Sequence, residues 1–207
     1  MTRAYDKEYL PLCQEHLGEM FDFGCRVLGF PAEELFGYFI SSGIASKIEE
    51  CHPGYIAGRS GAELALMVLE STGLKTECPA QAYLEYGVEY WTGWVLAYLQ
   101  WHSGLSFRSL RRIGISAHRV ESLYHPLHEA DISKVCDVVL PHTSPLREFR
   151  RSLGMSQAQL AGCSGVSLRM IRAYEQGSQD ISKAEASTLL RLAKALDCPP
   201  AELLITF

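Results

Sequence analysis

The chain has 207 residues, 47% of them hydrophobic and 21% charged, with a formal net charge of −5, ordinary values for a soluble globular protein with room for two modest domains. No apolar run reaches the ~20 residues of a membrane span, and the N-terminus lacks the basic region and apolar core of a signal peptide, so no membrane role is expected. Seven cysteines (13, 25, 51, 78, 136, 163 and 198) are scattered, odd in number and free of any CxxC pair, which argues against a zinc site or a disulfide framework and for a reducing cytoplasm.

In chain order, residues 1–140 read as helices throughout. Tyr9, Cys13, Leu17, Met20, Phe21, Val27 and Leu28 repeat at helical spacing up to Gly29, with Pro11 near the start. Pro31 opens a second helix, PAEELFGYFI, which stops at Ser41-Ser42-Gly43. IASKIEE gives a short third helix that breaks at His52-Pro53-Gly54. Ser60 and Glu63 have the spacing of a capping box ahead of LALMVLE, which Gly73 closes.

Pro79 opens the longest helical segment, AQAYLEYGVEYWTGWVLAYLQWHSG. Tyr83, Tyr86, Tyr90, Trp94, Tyr98 and Trp101 form one stripe along it, and Leu84, Val88, Trp91 and Val95 a second apolar face. The aromatic stripe reads as core of the domain. Gly87 and Gly93 are costly inside a helix and point to a close neighbour or a bend. The next stretch, SFRSLRRIGISAHRVESLY, is locally basic and fits either a degenerate second helix-turn-helix or two capped helices joined by a glycine turn. His125 and His128 stand three apart beside Glu129 and could in principle hold a metal, but Pro126 lies between the two histidines and no further obvious ligand completes a site, which favours a surface or capping role. ISKVCDVVL ends this part, and Pro141-His142-Thr143-Ser144-Pro145 makes a short, stiff linker.

The C-terminal part reads as five helices. Ser144-Pro145 caps and starts LREFRRSLG, with Leu146, Phe149 and Leu153 at helical spacing. Gln157–Cys163 forms a second helix, followed by a turn at Ser164-Gly165-Val166. Ser167 is placed to cap a third helix that ends at Gln176-Gly177. Val166, Ile171 and Tyr174 face the second helix, leaving Leu168, Arg169, Arg172, Ala173 and Gln176 outward. Ser182 and Glu185 have capping-box spacing before a fourth helix with Leu189, Leu192, Ala193 and Leu196 on one face, and Pro199-Pro200 opens a last short turn.

This pattern resembles the lambda-repressor-like, xenobiotic-response-element type of helix-turn-helix family over about sixty residues. The matching positions are Ser156-Gln157, Leu160-Ala161, Gly165-Val166-Ser167, Ile171, Tyr174-Glu175 and Gly177. The resemblance implies binding of double-stranded DNA at a palindromic operator, with the third helix in the major groove of a homodimer's half-site. By position it implies a phosphate contact for Gln157, base-edge contacts for Leu168, Arg169 and Ala173, and a phosphate or base contact for Arg172. Ser167 and Gln176 lie on the same side, and Lys183 is near the start of the fourth helix, where the family often meets phosphate. Asp180 departs from the commonly basic loop before that helix. The charge divides accordingly: residues from 141 on hold eight Lys and Arg against six Asp and Glu, +2, and those before hold eleven against eighteen, −7.

The phrases SSGIASKIEECHPGYIAGRSGAEL, EYWTGWVLAYLQWHSGLSF and PLHEADISK are similar to an uncharacterised helical domain of bacterial helix-turn-helix proteins encoded beside putative ADP-ribosyltransferase-like toxins. That resemblance implies a repressor acting as an antitoxin, with residues 1–140 holding the toxin. The alternative is a regulator whose aromatic N-terminal domain senses a small molecule. There is no Gly-rich phosphate loop, GxSxG or HExxH, so no enzyme activity, catalytic residue, cofactor or metal is expected. The expected organisation is all-α: a helical bundle at 1–140, a proline linker at 141–145 and a five-helix DNA-binding domain at 146–207.

Overall fold

A computed structural model describes residues 4–74 and 84–205 of the chain. Every regular element among them is helical, the all-α class that the periodicity predicts. None of these helices is long and apolar enough to cross a membrane.

The first helix, α1 (Leu10–Phe21), takes Pro11 in its first turn, where no backbone N–H is missed, and turns Cys13, Leu17, Met20 and Phe21 inward. It continues as a π-helical turn over Asp22–Val27. Next come α2 (Ala32–Ser41), α3 (Ile44–Glu49), α4 (Pro53–Ile56) and α5 (Gly61–Ser71). The Ser60–Glu63 capping box at α5 is formed in both directions, each residue accepting from the other's backbone N–H. The break expected at His52-Pro53-Gly54 is itself a helical turn, because the His52 imidazole caps α4 by accepting from the Gly54 N–H.

The central helix, α6, runs over Val88–Ser103. It begins later than the sequence suggests: Gly87 is its N-cap and Leu84–Tyr86 are irregular, while Pro79–Tyr83 lie outside the described residues. It lies along α1, and Gly93 permits this, since a Cβ there would sit 2.1 Å from the Leu17 carbonyl oxygen. The two expected faces do not separate by burial. Val95, Leu96, Leu99 and Trp101 enter the core, whereas Tyr90, Trp91, Trp94 and Tyr98 are only half-buried and Tyr86 is 73% exposed. The side of α6 that meets α1 mixes the two sets, Gly93 lying on the Leu17 carbonyl and the Tyr90 ring on Gly18, while Tyr86, Tyr90 and Trp94 of the stripe also line a surface recess.

The basic stretch forms α7 (Phe107–Arg112) and α8 (Ala117–Glu121), capped by Ser106 and Ser116. Three of its four arginines have partners within the protein, and the fourth, Arg108, is exposed. Arg111 pairs with Glu33 at 2.7 Å, Arg112 donates to the carbonyls of Leu196 and Asp197, and Arg119 reaches the carbonyls of Gly114 and Val138. The two capped helices are joined by a turn at Gly114, whose φ is +93°. Then follow α9 (Tyr124–Leu127) and α10 (Ser133–Val139). His128 accounts for its ring locally: Nδ1 lies 2.9 Å from the Tyr124 carbonyl oxygen, and the imidazole stacks on the Tyr124 ring. Among the described residues no three His, Cys, Asp or Glu side chains gather as metal ligands would.

The C-terminal part consists of α11 (Pro145–Ser152), α12 (Gln157–Ser164), α13 (Leu168–Glu175) and α14 (Ala186–Leu196). Short 3-10 turns at Ile181–Lys183 and Pro200–Leu204 complete it, the latter standing where a fifth helix is expected. The Ser182–Glu185 capping box is not formed. Asp180 instead accepts from the Ser182 N–H and caps the 3-10 turn, so Ser182 is held one element too early, and α14 starts at Ala186 behind Glu185. Leu153, expected on the inner stripe, is 41% exposed because it is already the C-cap of α11.

One buried apolar cluster runs from α1 through Val139 and Leu140 into Leu146, Phe149 and Leu203. Around it, polar groups tie the two parts together. Glu202, 4% exposed, accepts from the Ser106 N–H at 2.8 Å and from the Ser109 hydroxyl, satisfying the N-terminus of α7 from the far end of the chain. Arg112 returns the contact at the C-terminus of α14, with its guanidinium over the Phe149 ring.

Candidate nucleic-acid interface

The interface starts from two caps and a turn. Ser156 and Gln159 form a capping box at the start of α12, visible as S-x-x-Q in the sequence yet absent from the expectations above. At the other end Gly165 has φ +66°, the left-handed backbone that reverses the chain after α12. Ser164 stabilises that reversal by donating to the Leu160 carbonyl and accepting from the Val166 N–H. From α14, Arg191 donates to the Gly165 carbonyl at 3.2 Å. Ser167 then caps α13 through the Met170 N–H.

These constraints fix which way α13 faces. Val166, Ile171 and Tyr174 are buried as their spacing predicts, Ile171 completely. On the opposite side, Ser167, Arg169, Arg172 and Gln176 are exposed, and Leu168 and Ala173 half-exposed. Among the described residues, the Arg169 and Arg172 guanidinium groups have no ion pair, and both are free to meet an anion or a base edge. Lys183 is exposed but stands 4.0 Å from the Asp180 carboxylate, which blunts its charge.

Beneath the exposed face lies a polar knot that spacing arguments did not anticipate. Arg150 of α11 donates to both carboxylate oxygens of Glu175, at 2.6 and 2.9 Å, and also to the Met155 carbonyl. The Gln157 amide donates to the same carboxylate at 2.8 Å. Burial pushes the Glu175 carboxyl up, but the hydrogen bonds from Arg150 and Gln157 outweigh it and hold the group below the usual carboxylate range. One available signal was that Glu175 sits four residues after Ile171, on the inner face of its helix. Gln157 therefore commits one of its two amide N–H donors inside the fold and keeps the other for an external acceptor.

A capped helix pair with a left-handed glycine between, and a cationic outward face on the second helix, defines a helix-turn-helix unit of a DNA-binding regulator. Comparison with known families agrees: residues 146–203 match the helix-turn-helix family, which supports a DNA-binding regulator. No curated protein and no solved structure matches the chain.

Proposed function

We propose that this protein is a sequence-specific transcriptional repressor that binds a palindromic operator as a homodimer, with α13 in the major groove of each half-site. The observation that carries the reading is the sidedness of α13: Ile171 and Tyr174 are locked in the core, and Arg169, Arg172 and Gln176 are left outside. In this arrangement Arg169 pairs with a guanine edge, Leu168 and Ala173 meet thymine methyls, and Gln157, Ser167 and Lys183 approach phosphates. A single α13 reads few base pairs, and the C-terminal part carries only a small positive excess, so two-fold assembly supplies the missing contact area. Operator selection from random DNA followed by footprinting tests this. Two symmetric half-sites about one helical turn (~34 Å) apart are expected. Binding without sequence preference, or one copy per site by light scattering, would overturn it.

For residues 1–140 the reading is that of an antitoxin, holding a toxin encoded in the same operon. Its support is the resemblance of this part and its −7 charge balance, suited to a basic partner. Co-expression with the neighbouring gene product should give a stable complex and relieve growth arrest; failure of both would remove the toxin from the account and leave DNA binding intact. A specific observation favours a second reading, small-molecule sensing: a recess of about 280 Å³ lined largely by aromatic rings opens in this part of the molecule.

A further inference from the structure

The recess lies between the first half of α6, α9 and the start of α10. Its walls are rings set at steep angles. Trp91 and Tyr124 meet edge to face with centroids 5.6 Å apart, and Tyr86 and Tyr90 do so at 4.7 Å. Trp94 adds a fifth ring, and Leu127, Ile132 and Val135 supply aliphatic contacts. Among the described residues the lining contains no Lys, Arg, Asp or Glu, only the His128 imidazole stacked on Tyr124. His128 covers one face of Tyr124, and ring faces left open to such a recess attract a cation without needing a carboxylate in contact.

The surroundings have the matching sign. The Tyr90 ring lies against Gly18 of α1, and burial with Glu15, Tyr86 and Glu19 nearby pushes its hydroxyl up to about 12; the Glu19 carboxylate also accepts from the Gly61 N–H at 2.8 Å. Glu129 flanks His128 at 3.7 Å. Arg26, the cation that reaches toward Glu85, is held by Asp22 at 3.0 Å. The volume lies just below the usual range for ligand sites, which limits the occupant to a small molecule.

We propose that this recess binds a small organic cation with an alkylated ammonium head, the aromatic rings enclosing the head and the outer carboxylates adding long-range attraction. The inference rests on the small-molecule reading above and names the ligand class for it. α10, which contributes Val135 to the lining, ends at Val139 and leads within six residues into α11, so an occupant sits on the segment that feeds the DNA-binding part.

The test uses the full chain, choline as probe and 3,3-dimethylbutan-1-ol as the neutral analogue of the same shape. Calorimetry and Trp fluorescence should show choline binding and the alcohol at least about tenfold weaker, the difference that about 1.4 kcal/mol of cation–π attraction makes. Trp94→Leu and Tyr124→Leu should each weaken choline binding by a similar factor, with Tyr124→Phe retaining most of it and circular dichroism confirming folded protein. Equal binding of choline and the alcohol would overturn the cationic assignment, and no binding of choline would overturn the site. Operator affinity measured in parallel separates the two ideas: choline binding that leaves operator affinity unchanged keeps the site and sinks the sensing role.

Discussion

At Glu175 a buried carboxylate accepts hydrogen bonds from both arms of Arg150 and from Gln157, joining α11, α12 and α13 at one point. Because its folded pKa is lowered, the stabilisation it gives is fully present above the ordinary glutamate value of about 4.3 and is lost as pH falls through the lowered folded value. Glu175→Gln should therefore destabilise the protein at pH 7, with the gap to wild type closing in acid; a gap that stays constant down to pH 3 in urea titrations would refute the assignment. The same knot makes Gln157 and Arg169 distinguishable. Arg169 has no partner among the described residues, so Arg169→Ala should cost about 1–3 kcal/mol on the operator, much less on random DNA, and nothing in thermal stability. Gln157→Ala should weaken binding to both DNAs by similar amounts and also lower the melting temperature, since Glu175 loses a donor. Competition binding with melting curves on the two variants separates a base contact from a phosphate contact that is also part of the fold.

Among the elements, α6 and α12 give opposite answers to the same substitution. In α6, Gly93 faces the Leu17 carbonyl so closely that a Cβ would lie 2.1 Å from its oxygen, and backbone cannot yield as a side-chain tip can. Gly93→Ala should cost about 1–3 kcal/mol or more, as overpacking does. In α12, Gly162 is exposed and a Cβ would meet nothing within 4 Å, so Gly162→Ala should add about 0.5–1 kcal/mol through helix propensity. Urea unfolding of both variants decides the matter; a neutral Gly93→Ala would mean that α1 and α6 are farther apart. Gly93 also shows what the sequence carried and where it stopped. A costly glycine inside an apolar helix signals a close neighbour, and that neighbour is α1. Which face of α6 meets it was not legible, because rings and aliphatic side chains surround the helix and periodicity alone cannot rank them. The outward face of α13 was legible, since Val166, Ile171 and Tyr174 leave it one way to pack. Glu175 was not, because an acidic residue on an inner face makes sense only with Arg150, twenty-five residues away in sequence and adjacent in space.

For the molecule as a whole, the question is whether the DNA-binding part moves independently of residues 1–140. The prolines at 141 and 145 suggest two separable units, but Glu202 reaches back to the N-terminus of α7 and Arg112 reaches forward to the C-terminus of α14. Both contacts pair charge with a helix end of the favourable sign, and Glu202 is almost wholly buried. Contacts of this kind predict that the two parts unfold together. Glu202→Ala removes the acceptor for the Ser106 N–H and the Ser109 hydroxyl, so it should cost about 1.5–3 kcal/mol, the range for hydrogen bonds to a charged group. The loss should also uncouple the halves. All three tryptophans (91, 94 and 101) lie before residue 141, so Trp fluorescence follows the N-terminal part alone, while operator binding follows α11–α14. In urea the two signals should disappear together in the wild type and at different concentrations in Glu202→Ala and in Arg112→Ala. If they already separate in the wild type, the contacts are too weak to couple the parts. If they stay coincident in both variants, the continuous apolar core through Leu140, Leu146 and Phe149 does the coupling without them.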